Sequence, residues 1–335
     1  MSIHGAAIIG VGGAGGDFVQ VFSGVEHVEL RAICDLNEEL LQKKKEEAGI
    51  ADAFIDYHGL CDREDIDIVA VCTPDHLHTE PAIAMMESGK HVIIEKPLAT
   101  TFEDLERTVE TARRTGRKVA HGTQLRYGNY AQECKRIVAA GEIGEIYYGE
   151  VDEGGYAIGL FTDNWRGEPG INYNPMAGGG VHLLDILLWL IDDEVEEVVG
   201  YGNRKCLTET GLDTYDFIVS LMKFRGGAAA KAITHFGSSR APERQGVEVC
   251  GTEGSCLLTR NSAKIGRGKK PEEFESIEVD PAPYPNLREI LVADLIDAIE
   301  KDSQPLTNID QAARTAAVCI ASFDSAMSGK PVRLA

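Results

Sequence analysis

The residues Gly10-Val11-Gly12-Gly13-Ala14-Gly15 follow directly on a short apolar run, Ala6 to Ile9, and precede a helical pattern near Asp17 to Phe22. A glycine loop in that position constrains the fold more than any other feature of the chain. Its glycines permit a tight turn and close approach of a pyrophosphate, and the helix N-terminus behind it stabilises negative charge. Asp35 closes the next strand-like run, Val28 to Cys34, at 35 − 15 = 20 residues beyond Gly15. A carboxylate there meets the adenosine ribose hydroxyls of a dinucleotide and repels a 2′-phosphate. No arginine follows it in Leu36-Asn37. The first part of the chain is therefore expected to bind NAD in preference to NADP through Gly10, Gly12, Gly13, Ala14, Gly15 and Asp35.

The alternation continues through Ile66 to Cys72, a helix over Thr79 to Ser88, His91 to Ile94, a helix from Thr101, and Lys118 to Gly122. Regular β/α succession predicts a Rossmann-type, doubly wound parallel sheet over residues 1–123. The continuous apolar runs Ile68 to Val71 and Val92 to Ile94 suit strands covered on both faces. Near Gln124 the rhythm changes. A helix over Tyr130 to Ala140 is followed by strand-like runs at Ile146 to Val151, Phe217 to Phe224, Ala228 to Thr234 and Gly246 to Val249. Residues 124–335 are read as a second, α+β domain with a large, mostly antiparallel open sheet. Gly266 to Pro285 reads as an exposed connection, before amphipathic helices at Leu287 to Glu300 and Ile309 to Met327.

A chain of 335 residues exceeds what one core organises, which agrees with two domains. With 33 basic against 54 acidic residues and a net charge of -21, it repels nucleic acid and anionic membranes. No apolar stretch approaches the roughly 20 residues of a membrane span. The start, Met1 to Gly5, carries no secretory pattern, and the eight cysteines form no CxxC pair. A reducing cytoplasm is the expected location.

Ligands of doubly wound sheets bind beyond the carboxyl ends of the strands, where Cys72-Thr73-Pro74-Asp75 and Glu95-Lys96-Pro97 fall. Proline restrains its neighbour's backbone and so aims Lys96. His76 and His78 lack a further ligand at metal spacing, so no metal is assigned. Further on, Ala177-Gly178-Gly179-Gly180 feeds an apolar helix that sets His182 and Asp185 three residues apart on one face.

Through the glycine loop, Thr73-Pro74-Asp75-His76-Leu77-His78, Glu95-Lys96-Pro97 and Gly178 to Asp185, the chain resembles the Gfo/Idh/MocA family of sugar and polyol oxidoreductases over its whole length. The resemblance implies cofactor contacts from Cys72, Thr73, Pro74, His78, Glu95, Lys96 and Gln124. It implies that Lys96 lies between nicotinamide and substrate and that His182 acts as acid and base, with Asp185 orienting it or binding a hydroxyl. Arg126, Tyr156 and Trp165 are candidate substrate contacts. Two departures stand out: Asp75 occupies a position usually held by asparagine, and Gly178 one often held by the aspartate that supports the histidine. The expected activity is hydride transfer between NAD and a secondary alcohol of a sugar, inositol or related polyol. A non-catalytic NAD-binding regulator, and a lyase or glycosidase that cycles its NAD, remain alternatives. The open sheet of the second domain implies a homodimer or homotetramer.

Overall fold

Strand β1 (His4–Ile9), helix α1 (Gly13–Gly24) and strand β2 (Val28–Cys34) open the chain as a βαβ unit. It is followed by α2 (Glu38–Ala48), β3 (Asp52–Phe54), β4 (Ile68–Val71), α3 (Thr79–Glu87), β5 (His91–Ile94), α4 (Phe102–Thr115) and β6 (Val119–His121). The computed structural model describes residues 3–162, 164–237, 245–270, 272–280 and 286–334.

These strands form one six-stranded sheet in the order β3-β2-β1-β4-β5-β6, and every pairing is parallel. Ile68 to Val71 and Val92 to Ile94 are all at 0% exposure, as expected for strands covered on both faces. Each such valine or isoleucine contributes about 1.5–3 kcal/mol of burial. Local signals set the helix ends. The Asn37 side chain accepts from the Leu40 N–H at 3.0 Å and Thr101 from the Asp104 N–H at 3.1 Å. Gly49 and Gly116 close the same two helices in the left-handed region, at φ 66° and 67°.

The chain then forms α5 (Asn129–Ala139), β7 (Ile146–Gly154), a π-turn at Met176–Gly180, α6 (Val181–Ile191), β8 (Val195–Asn203), β9 (Phe217–Phe224) and β10 (Ala229–His235). After β11 (Gly246–Gly251), β12 (Gly254–Thr259), β13 (Ala263–Arg267) and β14 (Glu275–Ser276) come α7 (Leu287–Glu300), α8 (Ile309–Ser328) and β15 (Val332–Arg333). A nine-stranded sheet runs in the order β14-β13-β12-β11-β7-β10-β9-β8-β15. Only β10 with β7 is a parallel pair among these. One face is packed by α6, against β7 and β11, and by α5, against β12. The other presents Tyr201 and Leu221, 65% and 56% exposed. The expected connection at 266–285 instead holds the end of β13 and the short β14, while 271 and 281–285 lie outside the described residues.

Two compact units result: Met1–Gln124 with Pro283–Ala313, and Leu125–Ala282 with Arg314–Ala335. Sequence order alone assigns all of 124–335 to the second domain; the chain instead returns to the first. The reason lies in α7, whose Leu291, Val292 and Leu295 are at 0% exposure and which packs on α1. Arg288 at its start pairs with Asp17 at 3.3 Å and lies 5.8 Å above the Phe18 ring.

Candidate functional site

In the first unit the strand order reverses between β1 and β4, so their carboxyl ends open a crevice beside the glycine loop. Gly10 turns the chain there at φ 86°, and a Cβ on it would meet the Cys72 carbonyl at 2.7 Å. A Cβ on Gly15 would collide with the Gly10 carbonyl, so this glycine lets α1 close on the strand. At Gly12 and Gly13 a Cβ would meet nothing within 4 Å among the described residues, which leaves that side of the loop open to a ligand. Unlike α2, α4 and α7, α1 has no capping side chain and no acid in its first turn among the described residues. Its first N–H groups fit a pyrophosphate.

Asp35 stands at the end of β2, where Oδ2 accepts from the Val11 N–H at 2.8 Å and Oδ1 from the Asn37 N–H at 2.9 Å. An ionised carboxylate has about four acceptor positions, so two amide bonds leave capacity for ribose hydroxyls. The loop and the acid are thus one unit: the carboxylate that would read the ribose also orients the turn that would hold the pyrophosphate.

At the end of β4, burial, reinforced by the Glu95 charge, pushes the Cys72 thiol well above its usual range. The Thr73 hydroxyl donates to the Leu77 carbonyl at 2.9 Å, and Pro74 leads into the turn at Asp75–Leu77. His78 is 1% exposed, with its ring nitrogens 2.7 Å from the Pro97 carbonyl and 2.8 Å from that of Thr73. It ties the two strand-end loops together. Glu95, 4% exposed, is likewise engaged within the protein. One carboxylate oxygen accepts the Lys96 N–H at 2.9 Å and the other pairs with Arg288 at 3.1 Å. The backbone of Lys96 is therefore held by a buried carboxylate, immediately before a cis Lys96-Pro97 bond. Gln124 ends this stretch with its Oε1 buried and without a hydrogen-bond partner among the described residues.

In the second unit, the π-turn runs into α6 with His182 half-buried in the first helical turn. Asn174 sets the turn: Oδ1 accepts from the N–H groups of Met176 and Ala177 at 3.0 and 3.2 Å, and Nδ2 donates to the Cys319 carbonyl at 3.1 Å. Short π segments of this kind recur at functional sites.

Asp185 and Arg126 are corrected. Both are 1% exposed, and the guanidinium grips the carboxylate with Nε at 2.5 Å and a second nitrogen at 2.7 Å. Thr315 donates to the same carboxylate at 2.7 Å, and the guanidinium lies 5.5 Å over the Trp189 ring. A buried fork closed on a carboxylate engages both charges within the unit, so neither residue offers its charge to a substrate. Trp165 carries the Arg166 guanidinium on its face at 4.3 Å and meets the edge of Tyr173, whereas Tyr156 stands 61% exposed. Tyr173 itself, 3% exposed, escaped the sequence reading, because nothing along the chain marks it as a neighbour of Gly178.

Among the described residues no helix is long and apolar enough to cross a membrane, and no cluster of His, Cys, Asp and Glu has the makings of a metal site.

Residues 5–123 match the family described as "Oxidoreductase family, NAD-binding Rossmann fold", and residues 131–257 match the "GFO/IDH/MocA C-terminal domain". The first unit is thus an NAD-binding Rossmann domain. The chain is similar to the 1,5-anhydro-D-fructose reductase of Ensifer adhaerens, 28% identical over 298 residues, 86% of either protein. It is also similar to an alpha-N-acetylgalactosaminidase of Shewanella oneidensis, 35% identical over 159 residues that span 45% of this chain and 35% of that protein. Among solved structures, the aldose-aldose oxidoreductase of Caulobacter crescentus, complexed with glycerol, has the same fold, with a TM-score of 0.85 at 22% identity over 99% of both chains.

Proposed function

The chain belongs to the Gfo/Idh/MocA family, and on that premise we propose that it moves a hydride between NAD and a secondary alcohol or ketone of a sugar, inositol or related polyol. The observation that carries this reading is the placement of Lys96. It follows β5 at the carboxyl end of the sheet, two strands from β1 and its glycine loop, with its backbone pinned by Glu95. Two strand spacings are about 10 Å, a distance that a dinucleotide spans readily. Bound NAD supplies the hydride acceptor. The Lys96 ammonium stabilises the alkoxide oxygen as the C–H pair leaves, and His182 takes the hydroxyl proton. In the direction of reduction the same two residues polarise the carbonyl and return the proton.

The test is a panel of myo-inositol, hexoses and hexitols with NAD, followed by NADH absorbance. Stoichiometric NADH from one class of polyol is the expected result. Likeness to an alpha-N-acetylgalactosaminidase favours one rival reading, in which bound NAD is reduced and reoxidised within a turnover. Cleavage of a nitrophenyl glycoside without net NADH would replace the proposal by that rival.

Asp35 reads the ribose in this proposal. A hydrogen bond to a charged group contributes about 1.5–3 kcal/mol. Asp35→Ser should therefore lower the preference for NAD over NADP, taken as the ratio of kcat/KM values, by about 10- to 100-fold. An unchanged ratio would remove Asp35 from the ribose site.

The outward face of the nine-stranded sheet, with Tyr201 and Leu221, supports self-association into a dimer or tetramer.

A further inference from the structure

We propose that Tyr173 is the positioning residue of His182, its phenol hydroxyl standing where a side chain at position 178 would begin. The inference rests on the reading of His182 as the acid and base. An ideal Cβ on Gly178 would lie 1.8 Å from the Tyr173 hydroxyl oxygen and 2.3 Å from Cζ of the ring. The absence of a side chain at 178 is therefore the condition for the tyrosine to enter.

Gly178 lies in the π-turn, four residues before His182 in α6. Side chains one turn apart on a helix have Cβ atoms about 5–6 Å apart, and each leans back over the turn before its own Cα. His182 follows, by about one turn, the place that the Tyr173 hydroxyl occupies. The tyrosine is fixed there independently of the histidine. Its ring meets Phe161 edge-on at 5.3 Å and Phe236 at 6.1 Å, and its carbonyl accepts the Thr214 hydroxyl at 2.6 Å. The next residue, Asn174, caps the π-turn, so one short segment sets both the tyrosine and the start of the helix.

A hydroxyl both donates and accepts, so it orients an imidazole in either protonation state. A carboxylate in the same place would also stabilise the imidazolium by its charge. Tyr173 supplies the orientation without the charge.

Four proteins test this: wild type, His182→Asn, Tyr173→Phe, and Tyr173→Ala combined with Gly178→Asp. The readouts are rates with the panel above and the titration of the His182 ring by 15N NMR, its signal identified by its loss in His182→Asn. Tyr173→Phe keeps the ring and its packing, so its effect isolates the hydroxyl. The expected result is a kcat about 10- to 100-fold lower with the KM for NAD within twofold, and a displaced His182 ring signal. The double variant should recover part of the rate and move both the His182 titration and the acid limb of kcat to higher pH. The titratable groups on the elements packed here, Asp152 and Glu153 on β7, His235 on β10 and Asp185 on α6, are common to all four proteins. Differences between the proteins therefore report positions 173, 178 and 182.

His182→Asn at the wild-type rate would overturn the reading of His182 and this inference with it. An inactive His182→Asn beside a Tyr173→Phe with wild-type rate and ring titration would overturn the inference alone.

Discussion

Lys96→Met is expected to lower kcat/KM for the polyol by about 10²- to 10³-fold, the usual cost of removing one preorganised group from a developing oxyanion. Affinity for NADH, followed by its fluorescence, should stay within twofold. Methionine is close to lysine in volume and lacks the ammonium, so the two measurements separate chemistry from cofactor binding. The reason for so large an effect is preorganisation. The Lys96 N–H is held by Glu95, whose second carboxylate oxygen is held by Arg288 from α7. The loop need not reorganise as charge develops on the substrate. Normal turnover in Lys96→Met would sink the catalytic assignment.

Asp185→Ala should destabilise the second unit by about 3–5 kcal/mol, because it strands the Arg126 guanidinium at 1% exposure without its counter-charge. The hydrogen bond from the Thr315 hydroxyl is lost in the same change. Urea unfolding followed by tryptophan fluorescence suits the measurement, since Trp189 lies against the guanidinium. Removing both charges, with Arg126→Met and Asp185→Leu together, should recover much of the loss, as buried ion pairs often exchange for apolar pairs at little cost. A single variant that loses less than about 1 kcal/mol would show that the pair does not brace the unit.

How much of this was legible in the sequence depended on how far along the chain each argument reached. The glycine loop, the acid after β2 and the Glu95-Lys96-Pro97 run were all readable, because strand, loop and helix follow one another within a few residues. The limits of β9 and α7, Phe217–Phe224 and Leu287–Glu300, came from hydrophobic periodicity alone. The polar residues were harder to read. His78, Glu95, Arg126 and Asp185 have the residue types of a binding site, yet the structure engages them with other side chains and with the backbone. A charge that is buried must find a partner, and the partner is set by packing rather than by sequence distance. Asp185 meets Arg126 across 59 positions, and Glu95 meets Arg288 across 193.

By itself, then, the sequence determined the glycine loop, the carboxylate after β2 and the lysine beyond β5, since local chain geometry suffices to place them. Only the tertiary structure decided that residues 286–313 return to the first unit, that the buried charges pair with distant partners, and that the volume vacated at Gly178 is filled by Tyr173. Each of these is a matter of which surfaces meet when apolar faces are buried, and no spacing along the chain encodes it.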